Sequence, residues 1–260
     1  MMKRGKAAKG STLVIVDGDD TLWETTHLYR NAKDAISHLI ESAGLEGAEW
    51  RTAQEAINVA LTERMRLSSR QFPESCVRAY LRMCRNRQIT PDPQLQATIL
   101  EEARRVFTTP VRIAPATVRA LRELGKSAKI VLLTKGDLAV QVQRLEEAGL
   151  SDLLDSIYII RSEKSKESFE ALLHAYGARA EDSWSIGNSL PSDIAPAAAA
   201  GLQCIHLAGS ATWAYENRPA LVTSSARIRS VGSFSDAVSL VLRERELQSS
   251  SPRTGNEGLA

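Results

Sequence analysis

The segment Val14-Ile15-Val16-Asp17-Gly18-Asp19-Asp20-Thr21-Leu22 runs from an apolar strand, Thr12–Val16, straight into carboxylates. A short aliphatic run bounded by polar residues predicts a strand buried on both faces, as in a parallel sheet. In open α/β sheets ligands bind beyond the carboxyl ends of the strands, so Asp17 stands where chemistry is expected. Asp17 and Asp19 are two apart, which in an extended chain directs both to one side. Two like charges so placed repel unless a proton or a cation is shared. A hard divalent cation such as Mg²⁺, which takes oxygen ligands, resolves that repulsion. Read locally, the same acids could do no more than cap a helix over Thr21 to Arg30, a task open to Asp19 or Asp20.

Working outward, similar runs occur at Lys129–Leu133, Ser156–Ile160, Ser183–Ile186 and Gln203–Leu207. Helical patterns lie between most of them: Leu138, Val142, Leu145 and Ala148 after the second run, Phe169, Leu172, Leu173 and Tyr176 after the third. The alternation predicts an α/β fold, a doubly wound, Rossmann-like parallel sheet. More than a hundred residues separate Asp17 from the strand at Lys129, too many for an unstructured loop. Apolar residues recur there at helical spacing in Leu28/Ala32/Ala35/Ile36/Leu39, Ala53/Ala56/Ile57/Ala60/Leu61, Val77/Tyr80/Leu81/Cys84 and Leu95/Ile99/Ala103/Val106. The expected organisation is a core of residues 12–23 and 111–246 with an α-helical cap inserted at 24–110. A helix over Pro115–Gly125 belongs to the core, opened by its proline and stopped by its glycine. Residues 1–11, a basic tail, and 247–260, a polar one, are expected to be disordered.

The chain has 260 residues, 43% of them hydrophobic, and 33 basic against 31 acidic residues give a net charge of +2. That balance argues against a dedicated nucleic-acid or membrane surface. Cys76, Cys84 and Cys204 are an odd number without metal-binding spacing, so neither a zinc site nor a disulfide framework is suggested. A cytoplasmic protein is expected. The four histidines show no ligand spacing and read as structural or exposed.

DxDxT after an apolar strand resembles the first motif of the haloacid dehalogenase-like hydrolase superfamily. The resemblance implies that Asp17 is a nucleophile forming an aspartyl-phosphate and that Asp19 is the general acid and base. Gly18 would let the backbone approach metal or phosphate, and Thr21 would support the loop. Thr134, beyond the second strand, fits the hydroxyl of the second motif, and with Lys135 and the following helix start would bind phosphate. Lys164, after Glu163 and before the helix that carries Phe169, fits the family's lysine better than Lys166 does. Trp184-Ser185-Ile186-Gly187-Asn188-Ser189-Leu190-Pro191-Ser192-Asp193 resembles the fourth, metal-binding motif, with Asn188 at a position that is acidic in the family. The implied metal set is Asp17, Asp19, Asn188 and Asp193. This GNSxxSD form, with Thr212-Trp213 and Glu216, is similar to a recurrent bacterial branch. The dehalogenase branch lacks the second aspartate, so retention of Asp19 favours phosphate chemistry.

The resemblance implies a Mg²⁺-dependent phosphatase acting on a small phosphorylated metabolite. Alternatives are a phosphotransferase or phosphonatase using the same intermediate, or a non-catalytic binding module that has kept the fold. Trp23 could line the pocket or anchor the cap. Arg64, Arg66 and Arg70 could meet an anionic substrate or form a solvated helix face.

Overall fold

A computed structural model of the chain describes residues 12–65, 68–209 and 228–250. Its six strands are β1 (Leu13–Val16), β2 (Lys129–Lys135), β3 (Ser156–Ile160), β4 (Trp184–Gly187), β5 (Gln203–Leu207) and β6 (Ile228–Val231). They form one parallel sheet in the order β3-β2-β1-β4-β5-β6. The order reverses between β1 and β4, which creates the crevice where open sheets bind ligands. Asp17, the residue after β1, enters it, and its amide donates to Ile186 O of β4 at 3.0 Å.

Alternation along the central strands builds both faces at once. Val14, Val16, Ile130 and Leu132 pack with α5 (Pro115–Leu124) and α9 (Phe234–Ser250) on one face. Leu13, Ile15, Val131 and Leu133 pack with α7 (Lys166–Tyr176) and α8 (Ala195–Ala199) on the other. The β6 strand was not expected from the sequence. It lies at the sheet edge, and its Ile-Arg-Ser-Val run is only partly buried, so it lacks the apolar signature of its neighbours.

Between β1 and β2 stand α1 (Thr26–Ser42), α2 (Gly47–Met65), α3 (Gln71–Asn86) and α4 (Pro93–Arg104), which share a hydrophobic cluster of their own. The two connections to this helical unit pair with each other, Glu24 N donating to Arg112 O at 2.9 Å. The expected core face of α2 holds only in part: Leu61 is buried and Ala53 and Ile57 pack against the cluster, but Ala56 and Ala60 are exposed, and Gln54, Asn58 and Thr62 are buried. Partners on α3 make this tolerable, since Gln54 Nε2 donates to Ser75 Oγ at 2.8 Å and Gln71 Nε2 to Asn58 O at 3.2 Å. At the C-terminal end, residues 247–250 belong to α9 rather than to a disordered tail, the run of good helix formers reaching Gln248 and the helix ending on two serines. Residues 1–11 and 251–260 lie outside the described residues. No described helix is long and apolar enough to cross a membrane.

Candidate active site

The carboxyl ends of β1, β2 and β4 and the loop after β3 converge on one cluster. Lys164 Nζ donates to Asp17 Oδ1 at 2.6 Å and to Asp193 Oδ1 at 2.5 Å, and all three side chains are buried. Burial would depress the lysine, but the two carboxylates outweigh it and hold its pKa above the ordinary value. Burial, reinforced by the charge of Asp193, pushes the Asp17 carboxyl from 3.8 up to about 7 despite the lysine. Lys166 is placed elsewhere, half-exposed and paired with Glu170 within its helix.

Asp193 is positioned by a π-helical turn, Leu190–Ile194, that follows β4. Its Oδ2 accepts from Ser189 N at 3.0 Å, and Ser185 Oγ donates to its carbonyl at 2.9 Å. Its carboxyl lies so close to Gly187 that a Cβ there would stand 2.3 Å from Asp193 Cγ. Asn188 Oδ1 accepts from Thr21 Oγ1 at 3.4 Å, so Thr21 ties the first motif to the fourth. The absence of a side chain at Gly18 makes room for protein rather than ligand: a Cβ would lie 2.6 Å from the Trp23 ring and 3.0 Å from Thr134 Oγ1. Thr134 is buried at the end of β2, and Lys135 Nζ reaches Ser192 Oγ at 2.6 Å and Glu163 Oε2 at 3.1 Å.

Asp19 is directed away from the lysine cluster. Its oxygens accept from Trp23 Nε1 at 2.6 Å, Gln141 Nε2 at 3.0 Å and Arg144 Nη1 at 2.9 and 3.0 Å. Trp23 therefore neither lines the main cavity nor serves only as a hinge; it is buried and holds Asp19. Sequence reasoning missed Gln141 and Arg144, both on α6 (Leu138–Ala148). It expected Leu138 and Val142 to face the core, yet these are 58% and 37% exposed while Arg144 is 4% exposed. An ion pair across the fold outweighs local amphipathicity here. The one signal available was a polar pair three residues apart on the helix behind Thr134. Asp20 takes the capping task the sequence left open. At φ 57° its carboxylate accepts from the amides and hydroxyls of Thr25 and Thr26 at 2.7 to 2.9 Å, opening α1.

A cavity of about 440 Å³ lies between this cluster and the helical unit, with Asp17, Asp19 and Thr134 on its floor and Tyr29, Asn58 and Phe72 among its walls. Ser69 Oγ donates across the gap to Asp137 Oδ2 at 3.2 Å. Arg70 is exposed and is not among the lining residues, whereas Arg30, Lys33 and Arg51 are. The Arg64 side chain, Arg66, Thr212, Trp213 and Glu216 lie outside the described residues.

Among the described residues no three acidic, histidine or cysteine side chains gather around one point. Magnesium does not require that, since it takes oxygen ligands of any kind and keeps several waters. Asp17, Asp193 and the Asn188 amide oxygen could hold it. The charge fits as well: two buried carboxylates share one lysine, leaving one negative charge uncompensated. The Asp19 side chain is engaged by Trp23, Gln141 and Arg144, so the fit rests on the other three.

A family model, Hydrolase: haloacid dehalogenase-like hydrolase, matches residues 12–201. No match was found among curated proteins. Among solved structures, a haloacid dehalogenase-like family hydrolase from Xanthomonas campestris is similar at 26% identity and a TM-score of 0.75, over 93% of this chain and 98% of its own. The HAD-hydrolase YfnB from Bacillus subtilis, bound to magnesium, follows at 17% identity and 0.61, over 90% and 99%. L-2-haloacid dehalogenase from Xanthobacter autotrophicus has 16% identity and 0.56, over 89% and 98%. The last two share the fold. With the family model covering most of the chain, from β1 through the loop and helix that follow β4, the protein belongs to the haloacid dehalogenase-like hydrolases.

Proposed function

We propose that the chain hydrolyses phosphate monoesters of small metabolites through a covalent intermediate on Asp17, with Mg²⁺ as its cofactor. The observation that carries this reading is the buried Asp17–Lys164–Asp193 cluster opening on a cavity that also holds Asp19. Asp17 attacks phosphorus: an Oδ–P bond forms, the ester O–P bond breaks, and the leaving oxygen takes a proton from Asp19. A water then attacks the phosphorus of the aspartyl-phosphate and gives its proton to Asp19. The Asp17 O–P bond breaks, and inorganic phosphate departs with Asp17 restored. Lys164 keeps the nucleophile in place and offsets charge, while Thr134 and Lys135 offer donors to the non-bridging oxygens. Bound by Asp17, Asn188 and Asp193, Mg²⁺ would screen the repulsion between the carboxylate and the phosphate dianion. The magnesium bound to YfnB supports this cofactor. The helical unit over the cavity serves to keep bulk water from the site.

Carbon–halogen cleavage is the rival reading, raised by the dehalogenases among the structural neighbours. It uses a carboxylate nucleophile, but halide departs as a stable anion and needs no acid. A second carboxylate on the same cavity is what favours the phosphate ester. The test is to assay a panel of phosphorylated metabolites for phosphate release and a panel of 2-haloacids for halide release, with Asp17→Asn as control. Metal-dependent phosphate release lost in the variant supports the reading; halide release without phosphate release overturns it.

A further inference from the structure

Both carboxylate oxygens of Asp19 are engaged by protein donors in this structure, although its side chain is 31% exposed to the cavity. A carboxylate offers about four lone-pair positions, and Trp23, Gln141 and two contacts from Arg144 Nη1 compete for them. To exchange a proton with a leaving group, Asp19 must release at least one of these donors. Arg144 cannot simply turn to water, since it is 4% exposed and rooted on α6. Its Nη2 is buried with no hydrogen-bond partner, and so is Gln141 Oε1. The Tyr29 phenol interacts with the guanidinium, but no hydrogen bond of acceptable geometry reaches Nη2. Withdrawing Asp19 would leave a buried cation without its counter-charge, which is strongly disfavoured. Something anionic has to replace it. The cavity on which Arg144 opens is also lined by Arg30 and Lys33 of α1, and neither has an ion-pair partner among the described residues.

We propose that the substrate is a phosphate monoester bearing a second oxyanion, a carboxylate or another phosphate, close to the ester oxygen. This group takes the place of Asp19 on Arg144 as Asp19 turns to the leaving oxygen. Arg144 thereby binds substrate and, through its hold on Asp19, acts as a positioning residue that keeps the acid disengaged until an ester with a second anionic group arrives. The proposal rests on the phosphatase reading above.

The experiment compares kcat/KM at saturating Mg²⁺ for ethyl phosphate, phosphoglycolate and ethylene glycol bisphosphate, which share a skeleton and differ in the second group. The wild type should prefer one of the two esters with a second anionic group over ethyl phosphate by about 100-fold, the scale expected for a buried charge pair. Phosphoglycolate and the bisphosphate separate a carboxylate from a phosphate. In Arg144→Gln the preference should collapse to less than about threefold, and Arg144→Lys should restore part of it. A merely structural role would lower all three substrates alike and leave the ratio unchanged, and that result overturns the proposal. If Arg144→Gln does not fold, the ratio in Arg144→Lys decides: unchanged from wild type, it overturns the proposal. A wild type that hydrolyses ethyl phosphate, or an aryl phosphate whose aryl group is uncharged, best overturns the second oxyanion but leaves the phosphatase reading standing. Failure to release phosphate from any ester overturns that reading itself.

Discussion

Replacing Asp17 by Asn should stabilise the metal-free protein above neutral pH while removing its nucleophile. The Asp17 carboxyl is driven from 3.8 to about 7, first by burial and then by Asp193, against the opposing pull of Lys164. The folded value lies above the unfolded one, so between about pH 4 and pH 7 the folded chain keeps a proton that the unfolded chain has lost. Stability is therefore greatest below 3.8 and falls as pH rises through about 7. The gap corresponds to about 4 kcal/mol once Asp17 is fully ionised. The amide keeps the shape and carries no such penalty, and Lys164 retains Asp193 at 2.5 Å. In EDTA at about pH 8, urea unfolding should find Asp17→Asn more stable by about 4 kcal/mol, or on the order of 10 °C in Tm. Near pH 4 the two proteins should coincide. A variant less stable than wild type at pH 8, or a wild type whose stability is flat from about pH 5 to pH 8, would refute the burial argument.

Gly187→Ala should force Asp193 off Lys164, since the new Cβ would stand 2.3 Å from the carboxyl; a loss of about 3 kcal/mol and of metal-dependent turnover is expected, and an unaltered denaturation curve would contradict it. Asp20→Ala removes four bonds at the start of α1 and should cost about 1–2 kcal/mol in thermal unfolding. Lys164→Met should abolish turnover, whereas Lys166→Ala, at a half-exposed pair, should change stability by less than about 0.5 kcal/mol and leave the rate near wild type; the reverse pattern would exchange their roles. EDTA should stop phosphate release and Mg²⁺ should restore it, and activity persisting in EDTA would remove the cofactor from the account.

The central strands β1 and β2 were legible because burial on both faces leaves an unbroken aliphatic run in the sequence, as in Val14–Val16 and Ile130–Leu133, while the edge strand β3, only partly buried, was legible from the apolar run Ile157–Ile160. The edge strand β6 packs on fewer sides and carries Arg229 and Ser230, so no such run marks it. Strand-end position also made the site legible, since Asp17, Thr134 and Asp193 each follow or end an apolar run while Lys164 follows β3. What could not be read is pairing at a distance. Arg144 meets Asp19 across 125 residues, and on its own helix it reads as an ordinary solvated charge. The same holds for α2, where Gln54 and Asn58 occupy the buried face because Ser75 and Gln71 answer them from α3. Asp20 shows the opposite case: capping was one reading of the acidic turn, and its carboxylate takes that role through bonds to residues only five and six positions on.

The central claim is that Asp17 bonds to phosphorus, and its most direct test is a single-turnover reaction in heavy-oxygen water. The released product and the peptide carrying Asp17 are weighed by mass spectrometry. Water that attacks the phosphorus of an aspartyl-phosphate leaves its oxygen in inorganic phosphate, so the label should appear there and the Asp17 peptide should remain unlabelled. Label in the Asp17 carboxylate, accompanied by halide release from a haloacid, would mean that water attacks the carbonyl of an ester intermediate, and would contradict the account.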